Sequence, residues 1–373
     1  MRCLLYETRT GAPIMELQRS AWSYDTGILA PDRLEVTIPA YTSWARSLDL
    51  HGLLARGKHS VALVDDSVDG VRTVAAAGPI VTAAPREDPD GRHAFVVACR
   101  GIERLLEYRH VRLFPGWPLL DGENRPTGTY DQSFEDLEYG TIMKRLVSES
   151  EKWAGGDLPV DYEDDRAGVH ERTAWAAIDG KPLLEALDQL ADLADGVEYD
   201  FRPRIDEADW IRFDLITGTD VDRVIVGTAR PLWNLGGTNP DIRGYQRTPD
   251  AGLPITDAVL AGGKDDDKVL LVSASDHSWI DDGYPRAEVW DTSHSTVSET
   301  ATLASWAAGA LGSVPDTISF DVRASAAQGV RHGDRGILAA AGHWDLPDGD
   351  YSGRVLSINR TSEKSDWVHV ELV

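Results

Sequence analysis

The sequence predicts a mainly β fold in which two small β-barrel domains flank an α+β insert. Three observations predict it. Apolar and polar residues alternate from Leu34 to Ile38, the period-2 pattern of a half-buried strand. Asp-Gly pairs at 69–70 and 90–91 separate apolar runs and favour hairpins. Between residues 134 and 151, the apolar side chains instead recur with the spacing of one helix face.

These patterns divide the 373 residues into three predicted domains. Residues 1–112 form the first β-barrel, residues 113–235 an acidic α/β domain, and residues 236–373 a second β-barrel with a helix at 296–311. Two similar barrels in one chain would let three chains place six barrels around a threefold axis. This arrangement favours a ring-forming protein over an enzyme.

Each domain carries local signals of its elements. A helical turn, Ile102–Tyr108, is expected to close the first domain. In the second domain, a helix begins at Pro182 and stops at Gly196, and strands follow it. In the third, a Thr296-x-x-Glu299 capping box starts the helix that ends before Gly312. The strands predicted in the second domain are Val197–Arg202, Trp210–Leu215 and Val221–Val226.

Charge is spread unevenly along the chain. The formal net charge is -25, of which residues 1–112 contribute 0, residues 113–235 contribute -15 and residues 236–373 contribute -10. Such a surface repels phosphate, so tight nucleic-acid binding is disfavoured, while DNA sliding past without adhering is compatible with it. Solubility alone is the alternative explanation.

Other features bear on the compartment. No apolar run has the roughly 20 residues that span a bilayer. Glu7 follows the start too closely for a signal peptide, so we expect synthesis in a cytoplasm. The two cysteines, Cys3 and Cys99, are too few for a disulfide framework and are expected to be buried thiols.

The sequence contains no strong catalytic, cofactor or metal motif. Residues 65–70 resemble a calcium loop loosely, but Ala76 stands where the loop needs a glutamate. Asp265–Asp267 fits a solvated turn. Histidines and cysteines lack zinc-ligand spacing, and neither a nucleophile elbow nor a phosphate-binding loop occurs. With 62 acidic residues, no pair can be singled out as a glycosidase dyad. We therefore expect no catalytic residues, no metal and no cofactor.

Four tryptophans are candidate contact residues because they stand in loop-like contexts with Gly, Pro or Asp nearby. Aromatic residues in such loops are preferred at protein interfaces and can also bind sugars. We favour the interface interpretation. The four are Trp117, Trp153, Trp279 and Trp344.

Three stretches resemble the tail-hub or minor tail proteins of long-tailed phages, which are similar in fold to baseplate hubs. The first is the Leu-to-Trp opening at 15–24 with the strand ending in Pro39. The second is the helix and strand at 182–201. The third joins a Tyr-Pro-x-x-Glu strand and Ala-rich helix at 284–311 with the Gly-Asp turn at 333 and the strand at 351–358. The resemblance covers nearly the whole chain in order.

This resemblance implies two tail-tube-like barrels and a homotrimer at the tail tip of the virion. Alternating barrels would match the ring to a hexameric tail tube and let DNA pass. It implies distal tail and tail tube proteins, a tape measure protein, and other tail-tip or receptor-binding proteins as partners. The alternatives are a receptor- or carbohydrate-binding tail protein and, third, a cell-wall glycan hydrolase.

Overall fold

The computed structural model describes most of the chain. The described residues are 1–28, 30–68, 71–87, 89–113, 118–168, 170, 173–237, 240–248, 253–265, 268–292, 300–312 and 316–373. The Asp69–Gly70 turn and the Thr296–Glu299 capping box lie outside them.

The first segment folds into antiparallel strands with short helices between them. Leu34, Val36 and Ile38 are buried while Glu35 is exposed, so the predicted alternation is confirmed. The hairpin at Asp90–Gly91 is confirmed as well. The elements are β1 (Arg2–Glu7), β2 (Pro13–Glu16), β3 (Ala21–Gly27), β4 (Ala30–Pro39), α1 (Ser43–Arg46), α2 (Leu50–Leu53), β5 (His59–Val68), β6 (Val71–Glu87), β7 (His93–Arg100) and the predicted turn, a 3-10 helix at Ile102–Tyr108.

The second segment combines two longer helices with short strands. The helix predicted from residue 134 begins five residues later, because residues 132–134 pair as a strand instead. The elements are β8 (Gln132–Phe134), α3 (Tyr139–Glu151), β9 (Val160–Tyr162), β10 (Thr173–Trp175), a 3-10 turn (Ala177–Asp179), α4 (Leu183–Ala191), β11 (Tyr199–Ile205) and β12 (Ile211–Thr217).

One predicted strand of this segment is wrong. Residues 221–226 adopt no strand, and Val221, Val224 and Val226 are exposed. The hairpin of β11 and β12 forms as expected, but its third strand is β9, which pairs in parallel with β12. Charged residues at 220, 222 and 223 surround Val221, and Ile225 is the one side chain of the run 221–226 that is buried.

The third segment returns to strands. Its helix begins at Thr300 within the described residues and ends at Gly309, two residues before the predicted end. The elements are β13 (Leu232–Gly236), β14 (Ile242–Thr248), β15 (Asp257–Asp265), β16 (Lys268–Ser275), α5 (Ser278–Asp281), β17 (Glu288–Asp291), α6 (Thr300–Gly309), β18 (Thr317–Arg323), β19 (Arg335–Ala341), β20 (Gly349–Thr361) and β21 (Trp367–Leu372).

A single 13-stranded sheet joins the two ends of the chain. Its order is β14-β18-β21-β20-β3-β4-β7-β6-β5-β1-β2, and β19 and β13 branch from β20. The link is the antiparallel pairing of Ser23–Gly27 with Ser357–Thr361. Because β3 bonds to β20 on one side and to β4 on the other, the described pairings form an open path across the two halves. These pairings therefore do not build the two separately closed barrels that the sequence predicts. The prediction of a mainly β fold is confirmed.

The hydrophobic core consists of two clusters, and each draws on more than one predicted domain. One cluster packs α3 and α4 against β5, β12 and α6. The other joins β4 and β7 to β18 and β21, with Trp233 edge-on to Phe320 at 5.4 Å between ring centroids. Cys3 and Cys99 are buried free thiols in it, as expected. The boundaries at residues 112 and 235 stay a prediction.

Candidate functional site

The four predicted tryptophans occupy different parts of the chain. Trp117 lies outside the described residues. Trp344 is 84% exposed in the turn between β19 and β20. Trp153, after α3, is partly buried with the Arg112 guanidinium 4.1 Å above its ring. Trp279 in α5 is partly buried and edge-on to Tyr284. Trp344 therefore has the exposure that a contact residue needs, and the contact role of all four stays a proposal.

A more extensive apolar surface lies on the small sheet β16-β15-β17. Helix α6 packs on one face of this sheet. Leu271 pairs with Ala261 and Trp290 with Val259, so these side chains share the opposite face. There Val269 and Leu271 are each 59% exposed and Trp290 is 64% exposed. Contiguous exposed apolar residues of this kind mark interaction sites.

Sequence reasoning did not single out this outer face. Residues 269–272 are apolar at every position, so both faces of the strand look equally suited to burial. The strand register and the position of α6 decide which face is covered. Trp290 lies in the stretch at 284–311, where the sequence predicts a strand and an Ala-rich helix, and this location gives no reason to expect exposure.

The carboxylate of Asp257 organises one end of the same sheet. Its Oδ2 accepts hydrogen bonds from Thr256 Oγ1 at 2.8 Å and from Arg286 Nε at 2.9 Å. Its Oδ1 accepts from Ser275 Oγ at 3.2 Å, with His277 at 3.4 Å. The hydrogen bond from Arg286 in particular holds the pKa of Asp257 well below its usual range. Ser275 bonds to the carboxylate and not to the histidine, so this cluster is not arranged as a nucleophile with its base.

A cavity of about 350 Å³ lies where the three predicted domains meet. Strands β3 to β6 of the first domain, β11 of the second and the loop at 324–332 of the third form its walls. Three guanidinium groups face it, from Arg202, Arg331 and Arg360. We call it the junction cavity.

Buried carboxyl groups stand behind the junction cavity. Asp32 on β4 and Glu103 in the 3-10 helix are linked, because the Asp32 N–H donates to Glu103 Oε1 at 3.2 Å. Burial raises the pKa of Glu103 to about 7, and the nearby Asp200 carboxylate adds to this. Burial and Glu103 also raise the pKa of Asp32 well above its usual range. Burial therefore makes both groups harder to ionise than an exposed carboxyl.

Asp200 is the charged member of this group. It accepts hydrogen bonds from Arg202 Nε and His332 Nε2, both at 2.8 Å. Although burial opposes ionisation, these two partners lower the pKa of Asp200 below its usual value. Residues 32, 103, 200 and 332 are far apart in sequence, so no local motif announces this cluster.

Among the residues that the structure describes, no group of three or more His, Cys, Asp or Glu side chains converges as metal ligands would. The expected absence of a metal stays a prediction. The loop at 65–70 and the turn at 265–267 are only partly described, and the Asp65 carboxylate lies 3.9 Å from Arg360. None of the described helices has the length and apolarity needed to cross a membrane.

Solved structures of phage tail proteins share this fold. The 43 kDa tail protein of prophage MuSo2 from Shewanella oneidensis matches with a TM-score of 0.56 at 12% identity, covering all of this chain and 98% of that one. A tail protein from Neisseria meningitidis MC58 matches with a TM-score of 0.54 at 11% identity over 100% and 96%. A chain of the Francisella PdpA–VgrG complex matches with a TM-score of 0.52 at 7% identity over 100% and 52%.

No protein-family model matches the sequence. No curated protein matches it either. The likeness therefore concerns the fold: the chain has a phage tail-protein fold, as the sequence resemblance predicted.

Proposed function

We propose that the chain is a structural tail-tip hub protein of a long-tailed phage. Three copies form a ring that adapts the hexameric tail tube to the distal tip, and DNA passes through it. The observation that carries the proposal is the full-length fold shared with two tail proteins, each covered over more than nine-tenths of its own length. Because one fold can host several functions, the assembly and its partners are inferred from this likeness and from the surface.

Two features of the surface support an assembly role. The outer face of β16-β15-β17 exposes Leu271 and Trp290, which suits contact with another protein. The continuous sheet joins the two ends of the chain through β3 and β20, so both halves can act as one body in a ring. The net charge of -25 suits a channel to which DNA does not adhere.

The hub has the partners that its position requires. These are two further copies of the chain, distal tail and tail tube proteins, the tape measure protein and other tail-tip or receptor-binding proteins. The protein would be made in the host cytoplasm and carried in the virion. The solved structures named above are tail proteins and not hydrolases, which favours a non-enzymatic role. That role stays a prediction.

Glycan binding is the second candidate function, and the exposure of Trp344 favours it. A ring that is 84% exposed at a hairpin tip can stack on a sugar. In this alternative the chain is a receptor-contacting tail protein. Trp344→Ala would then abolish glycan retention without changing the oligomeric state.

Sedimentation velocity at increasing protein concentration tests the hub proposal. We expect a species of three times the monomer mass. If the outer face of β16-β15-β17 is buried in that species, Leu271→Glu dissociates it. Trp344→Glu, which changes a different exposed site, leaves the species intact. A wild-type chain that stays monomeric at all concentrations, or forms a dimer, would contradict the trimer.

A further inference from the structure

The junction cavity presents a guanidinium without a partner. Among the described residues the Arg331 guanidinium makes no hydrogen bond and no ion pair within 4 Å, although its backbone N–H donates to Asp334 Oδ2 and the carboxylates of Asp334, Asp200 and Asp214 attract it from farther away. The other two cavity arginines are engaged. Arg202 binds Asp200 at 2.8 Å, and Arg360 donates to the Ser365 carbonyl at 2.6 Å. Arg331 is therefore the one arginine of this cavity whose guanidinium has no directly bonded partner among the described residues.

A partly buried Arg331 guanidinium with no bonded partner destabilises the protein when no ligand is present. Burial lowers the pKa of Arg331 and the like charge of Arg202 lowers it further, and the more distant carboxylates of Asp334, Asp200 and Asp214 offset this only in part. A partly buried charge that lacks a counter-ion loses hydration without recovering it through pairing. An anion on the open side of the cavity would supply that pairing.

From these contacts we propose that the junction cavity binds a carboxylate, which Arg331 holds while the neighbouring Arg202, already bonded to Asp200, adds positive charge. A guanidinium presents donors in a planar fork that matches a carboxylate bidentately, and such charge-assisted bonds are stronger than neutral ones. The cavity volume of about 350 Å³ falls within the range of small-ligand pockets, roughly 300–1,000 Å³.

The remaining lining of the cavity is compatible with an anionic ligand. Burial raises the pKa of Asp32 and the Asp65 carboxylate lies 3.9 Å from Arg360, so the repulsion of an anion by either carboxyl is reduced. Hydroxyl groups of Thr26, Thr73 and Ser325 line the same space. The surface as a whole carries a net charge of -25, so a carboxylate would bind here because of this local arrangement and not through overall attraction.

The bound carboxylate would contact elements from all three predicted domains, since Arg202 lies on β11 and Arg331 in the loop at 324–332. Occupancy would therefore hold the loop against the sheet. The carboxylate could come from a dissolved small molecule or from a glutamate or aspartate side chain of a neighbouring protein. This inference does not depend on the trimeric ring, because it concerns a cavity within one chain.

Calorimetric titration of the purified chain tests the proposal with three probes: citrate, N-acetylglutamate amide and inorganic phosphate. We expect 1:1 binding of a carboxylate probe, weakened about tenfold or more in Arg331→Gln and unchanged in the control Arg335→Gln, which alters an exposed arginine nearby. Tighter binding of citrate would identify a dissolved ligand, and tighter binding of the amide a protein side chain. Binding of phosphate alone, equal affinity in Arg331→Gln, or no binding would overturn the proposal.

A stability measurement keeps the test independent of folding defects. Without ligand, Arg331→Gln should melt at the same temperature as the wild type or higher, because it removes an unmatched charge. With ligand, only the wild type and Arg335→Gln should gain stability. If Arg331→Gln melts well below the wild type without ligand, Arg331 has a structural partner and the proposal fails. Arg331→Lys, which keeps the charge but not the fork, should bind more weakly than the wild type.

Discussion

The Nε2 atom of His332 lies 2.8 Å from Oδ2 of Asp200, and both side chains are less than a tenth exposed. This contact ties the loop before β19 to strand β11, which are 132 residues apart. The same carboxylate oxygen also accepts from Arg202. One buried charge with two partners therefore contributes to holding the second and third predicted domains together.

Replacing Asp200 should destabilise the protein strongly. Asp200→Asn leaves Arg202 and His332 without their buried counter-charge, and breaking a buried pair from one side costs about 3–5 kcal/mol. Chemical denaturation followed by tryptophan fluorescence measures the loss. The control is Asp321→Asn, which breaks a more exposed pair with His369 and should cost no more than about 1 kcal/mol. Equal effects of the two changes would contradict the structural role of Asp200.

The stability that Glu103 contributes should fall as pH rises from 4.5 to about 7. Burial raises the pKa of Glu103 from 4.5 to about 7, so the folded state holds a proton that the unfolded state releases near pH 4.5. The contribution of this proton to the free energy of unfolding is fully present below pH 4.5 and is lost as pH rises through about 7. Denaturation midpoints between pH 5 and 8 measure the effect. Glu103→Gln, which keeps an acceptor for the Asp32 N–H, should flatten the profile, whereas Glu363→Gln at an exposed site should not.

Alanine at Gly11 should be far more damaging than alanine at Gly57. Both glycines have positive φ, +77° and +69°, so either substitution strains the backbone by about 1–2 kcal/mol. A Cβ at Gly11 would also lie 1.9 Å from the carbonyl oxygen of Ile211, whereas nothing lies within 4 Å at Gly57. Thermal melts should show a further loss of about 1–3 kcal/mol for Gly11→Ala. Similar losses of stability in Gly11→Ala and Gly57→Ala would mean that the turn at Gly11 does not pack against Ile211 of β12.

A charge at Val370 should prevent folding. Val370 on β21 is fully buried and pairs with Phe320 on β18, also fully buried. Val370→Glu places a carboxylate in the apolar core and should cost more than about 4 kcal/mol. His369→Gln, one residue earlier on the exposed side, should fold like the wild type. Circular dichroism of the soluble fraction distinguishes the two outcomes.

Local patterns predicted much of the secondary structure, because alternation and turn residues act over a few positions. The Leu34–Ile38 strand and the Asp90–Gly91 hairpin followed from such signals. The pairing of β3 with β20 could not be predicted, since it joins residues more than 300 positions apart. That pairing is the reason the two halves share an open sheet and are not separate barrels.

The contact surfaces were harder to predict than the fold. Trp344 stood out because its loop context predicts exposure, and it is exposed. Trp290 did not, because only the position of α6 decides which face of its sheet is covered. The junction cavity assembles side chains from three distant stretches, and an arginine such as Arg331 looks in sequence like any surface charge.

Negative-stain class averages of the purified chain at high concentration test the central claim most directly. The hub account predicts threefold rings with a central hole wide enough for duplex DNA. Compact particles without a hole, or rings of another symmetry, would contradict it.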